Sequence, residues 1–277
     1  MKTIKNFSKG MIIGISILIP GVSGGTMAII LGIYEDLIHA FSSLTNNWKH
    51  HRKLLLQVVL GVLFSIKTFS YLIEEALNKY PEVMNFIFIG IILGGMPTLY
   101  KKYKTAGKKD IFDYVFSLLG FSLVLILSAK FFAFNSSFTQ QGAVFYLLTF
   151  VVGIIIAVAL ILPGISGSLI LMTIGMYGTT INAINEFDFL FLTPLILGII
   201  AGILGGSRVI EGLIKEYPGK TYMLILGFVI ASVIPIFPGI PTEGELFSSI
   251  IAFMAGLIAI LCWCWFSDLK SNPCYRD

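Results

Sequence analysis

Long apolar runs, not alternating apolar and polar positions, organise this chain. The longest, residues 143–162, reads AVFYLLTFVVGIIIAVALIL and carries no charge. About twenty apolar residues in a helix cross a hydrocarbon core of roughly 30 Å. Run length and breaking residues divide the chain into eight segments. A short run at 11–19 meets PGVSGG at 20–25 and resumes over 26–41. Candidate spans follow at 54–77, 83–100 and 111–134. The run 143–162 then meets PGISGS at 163–168 and resumes over 169–184, and spans at 190–214, 221–240 and 246–266 complete the series. The fold class is all-α: a polytopic integral membrane protein with one transmembrane domain over 1–277.

The second half echoes the first. Pro20-Gly21-Val22-Ser23-Gly24-Gly25 aligns with Pro163-Gly164-Ile165-Ser166-Gly167-Ser168, and the match continues through Gly32/Gly175, Tyr34/Tyr177, Ile38/Ile181 and Ala40/Ala183, all at an offset of 143. A second match at offset 137 pairs Leu60-Gly61 with Leu197-Gly198, Glu74 with Glu211, Tyr80-Pro81 with Tyr217-Pro218, and Gly90 with Gly227. Rare residues agreeing in the same order indicate an internal duplication. The expected repeats are 1–134, with its tip at 20–25, and 135–277, with its tip at 163–168.

Composition excludes the soluble classes. Only 12% of residues are charged and 56% are apolar, with a mean hydropathy of +0.90; a soluble domain carries about 25% charged residues. Soluble enzymes, nucleic-acid readers and disulfide scaffolds are set aside. A cleaved signal peptide is not expected, because 11–19 breaks at Pro20-Gly21 without a small-residue cleavage site.

Loop charge orients the chain. If each Pro-Gly motif is the tip of a re-entrant hairpin and the N-terminus is cytoplasmic, fifteen Lys and Arg fall in cytoplasmic segments and only Lys79 in the external loops 78–82, 135–142, 185–189 and 241–245. Both termini are then cytoplasmic. Each repeat is one hairpin plus three transmembrane helices, an odd number of crossings, so the two repeats have inverted topology. Nine residues at 11–19 reach only about 14 Å, near the midplane. The run 143–162 is long enough to span by itself, so for the second hairpin two full crossings stay an alternative.

The tips carry the candidate chemistry. Proline ends the descending half-helix and glycine allows the reversal. The ascending half-helices start near Ser23–Thr26 and Ser166–Leu169, with free N–H groups and positive dipole ends pointing inward. Broken helices meeting at the midplane of an inverted repeat mark secondary transporters. Ser23, Thr26, Ser166 and Ser168 add hydroxyl donors, and neither tip holds an acid, so the site suits an oxyanion.

Charges within spans are the next signal. Lys67 and Arg208 lie inside the helix that follows each hairpin, where a charge costs roughly 2.5–3.5 kcal/mol on insertion scales and so faces a cavity or a partner. They are candidate phosphate ligands, with pairing to Glu74 and Glu211 as the alternative. Glu35 is either a proton carrier or an interfacial cap with Asp36. Tyr34 and Tyr177 either line the cavity or sit in an aromatic belt. No metal site is expected from His39, His50 and His51 or from Cys262, Cys264 and Cys274. No nucleophile–base pair or nucleotide loop occurs, so the chain is not expected to be an enzyme or to hold a cofactor.

PGVSGGTMAIILGIYEDLI at 20–38 and PGISGSLILMTIGMYGTTI at 163–181 resemble the PopT-type polyprenyl-phosphate transporter family, formerly domain of unknown function 368. The resemblance spans nearly the whole chain, including the Tyr-Pro pairs. It implies a bacterial plasma-membrane flippase returning undecaprenyl phosphate to the inner leaflet for cell-wall synthesis. It also implies phosphate contacts at Pro20, Gly21, Ser23, Gly24, Gly25, Thr26, Pro163, Gly164, Ser166, Gly167 and Ser168. Gly178 stands where the first repeat has Glu35. Coupling to protons or sodium is left open. The alternatives are a small-anion secondary transporter and an undecaprenyl-diphosphate phosphatase, whose hairpin tip has an arginine where Gly24 and Gly167 stand here.

Overall fold

The computed structural model describes residues 2–19, 22–106, 110–128, 142–241 and 243–269. Among these the secondary structure is entirely helical. The first half contains α1 (Lys2–Ile17), α2 (Gly24–Ile30), α3 (Tyr34–Ser42), α4 (Leu44–Lys79), α5 (Pro81–Thr105) and α6 (Phe112–Ser128). The second contains α7 (Ala143–Ile161), α8 (Gly167–Ile174), α9 (Tyr177–Asn185), α10 (Phe189–Glu216), α11 (Pro218–Ala231), α12 (Val233–Ile236) and α13 (Glu243–Leu269). Among the described residues, six helices are long and apolar enough to cross a membrane: His51–Lys79, Pro81–Thr105, Ala143–Ile161, Phe189–Glu216, Pro218–Ile236 and Glu245–Cys264. The protein is a multi-pass helical membrane protein.

Several boundaries differ from the expected ones, each for a physical reason. α1 has 16 residues, not nine, because Lys5 and Lys9 interrupt the apolar run without interrupting the backbone ladder. The basic segment 42–53 is not a loop: α4 begins at Leu44 and runs 36 residues. The segments 26–41 and 169–184 are each two helices. Gly32 (φ +64°) and Gly175 (φ +78°) take the left-handed conformation that closes a helix. Ile33 N–H then bonds Ala28 O, and Met176 N–H bonds Leu171 O, as the cap requires. The span expected over 221–240 is interrupted after Ala231, with α12 carrying Pro235. In the segment 111–134, α6 covers 17 residues to Ser128; residues 129–134 lie outside the described residues. By length α7 joins the candidate spans, with 19 residues.

Four helix pairs build the domain: α1 with α4, α7 with α10, α5 with α13, and α6 with α11. Glycines at each crossing let backbones approach, as small residues do between membrane helices. A Cβ at Gly61 would strike the Phe7 backbone in α1, and one at Gly198 would strike Phe150 in α7. Likewise Gly90 meets Phe253 in α13, and Gly227 meets Ser117 in α6. α5–α13 and α6–α11 each join the first half to the second, so the halves interlock. The Tyr-Pro corners also agree: Tyr80 has φ −137°, ψ 58° and Tyr217 has φ −129°, ψ 58°, each followed by proline at the first helical position. Of the short helices, α2 sits inside this frame, whereas α8 is partly exposed, with Met172 at 57%. α2 is buried from Gly25 to Ile30.

Candidate functional site at the paired tips

The first turn of α2 touches the chain reversal that precedes α8. The Gly164 N–H donates to Thr26 Oγ1 at 2.8 Å, joining residues 138 positions apart. A Cβ on Gly25 would lie 3.3 Å from Pro163 Cα, so the two backbones are in close contact. Gly164 has φ +84°, and a side chain there would run into the Phe228 backbone. Pro20 and Gly21 lie outside the described residues.

Both reversals present their serines alike. Ser23 (φ −89°, ψ 130°) and Ser166 (φ −98°, ψ 131°) occupy the N-cap positions of α2 and α8, and neither side chain makes a capping bond. The first N–H groups of a helix have no intrahelical acceptor. Each tip therefore offers backbone donors beside a hydroxyl. Ser166 Oγ lies 2.8 Å from Ser168 Oγ. The tips differ in access: Ser23 and Thr26 are buried at 5% and 1% exposure, whereas Ser168 is exposed.

An apolar cavity of about 250 Å³ reaches the first tip. Gly24 and Gly25 line it with Ile13 and Ile17 of α1, Val58 and Val62 of α4, and Leu160 and Ile161 of α7. Tyr34 and Ile38 of α3 close one side. Its walls suit hydrocarbon. A Cβ on Gly24 would lie 3.2 Å from Ile17 Cγ1, and one on Gly167 3.3 Å from Ile156 Cγ2 and Leu160 Cδ2. These are movable side-chain ends, so substitution at either glycine intrudes on space without breaking the backbone.

Of the remaining candidates, Lys67, Arg208, Tyr177 and Glu74 do not line this cavity. Lys67 is exposed on the outward face of α4, in register with Leu60, Leu63, Phe64 and Tyr71. Its expected approach to a shared cavity is not what the structure places. Arg208 is also exposed, and its Nε donates to the Ser42 carbonyl at 3.3 Å, at the end of α3. Tyr34 is buried and lines the cavity, whereas Tyr177 is 38% exposed. Glu74 is exposed.

Two polar clusters organise α3, and residue patterns alone did not find them. Glu211 on α10 accepts from Lys215 Nζ at 2.6 Å and from the Ser42 hydroxyl, and its Oε1 lies 2.6 Å from His39 Nδ1. The His39 and His51 rings meet edge to face at 4.9 Å. Glu35 is held by Lys102 of α5 and the Tyr222 hydroxyl of α11. Glu35 lies outside the six long apolar helices. Burial pushes its carboxyl up, but the bonds from Lys102 and Tyr222 and the Lys102 charge outweigh this and hold it below the ordinary carboxylate value. The sequence pointed to Glu35 as a carrier or cap and to Glu211 as a partner of Arg208, but not to His39, Ser42, Lys102 or Tyr222 as the groups that bind them.

The family described as VCA0040-like, undecaprenyl phosphate translocase-like, matches residues 13–250. The chain belongs to this family. It is 32% identical to a polyprenyl-phosphate transporter of Staphylococcus aureus (strain NCTC 8325 / PS 47) over 274 residues, 92% of this chain and 94% of that protein. It is 28% identical to a polyprenyl-phosphate transporter of Vibrio cholerae serotype O1 (strain ATCC 39315 / El Tor Inaba N16961) over 254 residues, 86% of this chain and 79% of that protein. No solved structure matches it. The family's match begins within α1 and ends within α13, so it takes in both tips.

Proposed function

We propose that this chain transports a polyprenyl phosphate across the membrane, with the phosphate held at the paired tips and the prenyl chain against apolar walls. A phosphate monoester carries about −1.5 to −2 charge at neutral pH. Moving an isolated anion into hydrocarbon costs on the order of tens of kcal/mol by Born solvation. A carrier must therefore supply donors inside the membrane while letting the tail stay in an apolar medium. The observation that carries this reading is the contact between the tips, Gly164 N–H to Thr26 Oγ1, beside an apolar cavity lined by Gly24 and Gly25. The names of the two relatives and of the family agree with it.

On this reading Ser23, Gly24, Gly25, Thr26, Gly164, Ser166, Gly167 and Ser168 are the phosphate-binding set, with Pro20, Gly21 and Pro163 shaping the reversals. The chain is a transporter and not a phosphatase, since glycine stands at both positions where the hydrolase tip has arginine. The two halves are an inverted repeat, each a re-entrant hairpin plus three transmembrane helices. Supporting this, glycine crossings recur: Gly61 on Phe7 and Gly198 on Phe150 at offsets 137 and 143, and Gly90 on Phe253 and Gly227 on Ser117, whose glycines are 137 apart and partners 136 apart. Fifteen cytoplasmic charges against one external charge support cytoplasmic termini in a bacterial plasma membrane.

The test is flux of labelled polyprenyl phosphate in liposomes containing only this protein, with and without proton or sodium gradients. Wild-type protein should equilibrate the lipid between leaflets, and Gly24→Val or Gly167→Val should abolish flux while the protein still inserts. Wild-type flux no faster than in protein-free liposomes would remove the transporter reading; normal flux in both variants would remove the tips as its site.

A further inference from the structure

The arms that follow the two tips align in sequence but sit in different surroundings. On α3, Tyr34, Ile38 and Ser42 are buried at 3%, 3% and 7% exposure. This face packs on α10 and α4. On α9 the matching positions are Tyr177 at 38%, Ile181 at 40% and Asn185, also exposed. The carboxylates follow the same division. The Glu211 side chain is 17% exposed and bound by His39 and Ser42 of the docked arm. Its counterpart at offset 137, Glu74 of α4, is exposed. At offset 143, His39 and Ser42 become Asn182 and Asn185, both exposed and both able to donate to a carboxylate.

Resting on the transporter reading, we infer that Glu211 and Glu74 are alternating latch residues of the transport cycle. In the arrangement seen, α3 is fastened to α10 through Glu211, and the face of α9 lies open. In the second arrangement α9 docks on α4, Asn182 and Asn185 reach Glu74, and α3 leaves α10. Each arm has its own carboxylate on the neighbouring long helix, Glu211 for α3 and Glu74 for α9 at the repeat offset. A carboxylate bond to an arm stabilises the docked form alone, and a two-state element moves only as far as its differential contacts drive it. The apolar stripe Tyr177–Ile181 supplies α9 with the same kind of contact that Tyr34–Ile38 already gives α3. Two such seams, one behind each tip, give a phosphate at the paired tips a way out on either side. Glu211 and Glu74 act through the arms and do not touch the substrate.

Crosslinking tests this without relying on flux. Two pairs are made with Cys262, Cys264 and Cys274 replaced by Ser. Ser42→Cys with Arg208→Cys reports the docked α3, since these residues already touch. Asn185→Cys with Tyr71→Cys is the same pair at the repeat offsets. Both pairs should form disulfides in membranes, each locking the protein and stopping flux until reduced. Glu211→Ala should raise the Asn185–Tyr71 yield relative to the Ser42–Arg208 yield about tenfold, the size expected from losing bonds to a charged acceptor. Glu74→Ala should move the ratio the other way. A ratio unmoved by both substitutions, or an Asn185–Tyr71 pair that never closes with or without polyprenyl phosphate, overturns the latch. A protein that shows both crosslinks but carries no polyprenyl phosphate retires the transporter reading and leaves the exchange standing.

Discussion

The two tips share a sequence pattern and the backbone angles of their N-cap serines, but their hydroxyls sit in different surroundings. In the first tip Thr26 is buried, and its hydroxyl accepts the Gly164 N–H of the second. In the second tip, Leu169 stands where the first has Thr26, and Ser168 where it has Gly25. Its hydroxyls, Ser166 and Ser168, lie together at 2.8 Å, with Ser168 exposed. The first tip is therefore the brace and the second offers the more accessible donors. Where the two copies meet they are chemically unlike, Thr26 supplying a hydroxyl acceptor and Gly164 a backbone N–H.

The largest expected effect breaks the contact outright. Gly164→Val puts a β-branched side chain at φ +84° against the Phe228 backbone, at a cost of about 3 kcal/mol or more. The variant should aggregate or be degraded, seen as loss of the monodisperse peak in detergent. Its counterpart Gly21→Val would show whether the first reversal is equally constrained.

Thr26→Val keeps the shape and removes the acceptor. A buried N–H left without a partner costs about 1–3 kcal/mol, so the purified protein should melt several degrees lower and lose flux. Thr26→Ser, which keeps the hydroxyl, should recover most of the melting temperature. An unchanged melting temperature in Thr26→Val would deny the brace.

Ser168→Ala should do the reverse. An exposed substitution alters stability by less than about 0.5 kcal/mol, whereas loss of a donor to phosphate should lower lipid-phosphate binding several-fold. Titration of the purified protein with a short-chain prenyl phosphate would read this. A drop in melting temperature with unchanged binding would move Ser168 from ligand to scaffold.

The smallest effect separates the arms behind the tips. The Glu35 carboxyl sits below its ordinary value because Lys102 and Tyr222 hold it. A depressed folded-state value contributes stability above the ordinary carboxylate value of about 4.3, and that contribution fades as pH falls through the lower folded value. Melting should therefore drop on acidification below about pH 4 in the wild type and less in Glu35→Gln. Gly178 replaces Glu35 in the second repeat, so no matching acid response is expected from α9.

Much of this fold was legible because helices are local objects. Apolar run length, the prolines of the Tyr-Pro corners and the crossing glycines act over a few residues, and each left its mark in the sequence. The breaks at Gly32 and Gly175 were visible as a matched pair but not as helix ends, since glycine in an apolar helix also serves packing. Charge patterns misled in two places: Lys5 and Lys9 hid most of α1, and the basic segment after residue 42 concealed the start of α4.

The sequence by itself determined a helical membrane protein whose second half echoes the first, and the family to which it belongs. Only the tertiary structure decided that Thr26 of α2 meets Gly164, that Lys67 faces outward, and that α3 is docked while α9 is not. Those outcomes depend on pairs such as His39 with Glu211 and Glu35 with Tyr222, separated by 172 and 187 positions. No local period records such a pair. Equivalent sequences also came to rest in unequal surroundings, because a repeat pattern sets which positions of an arm are apolar but not which neighbouring helix they meet.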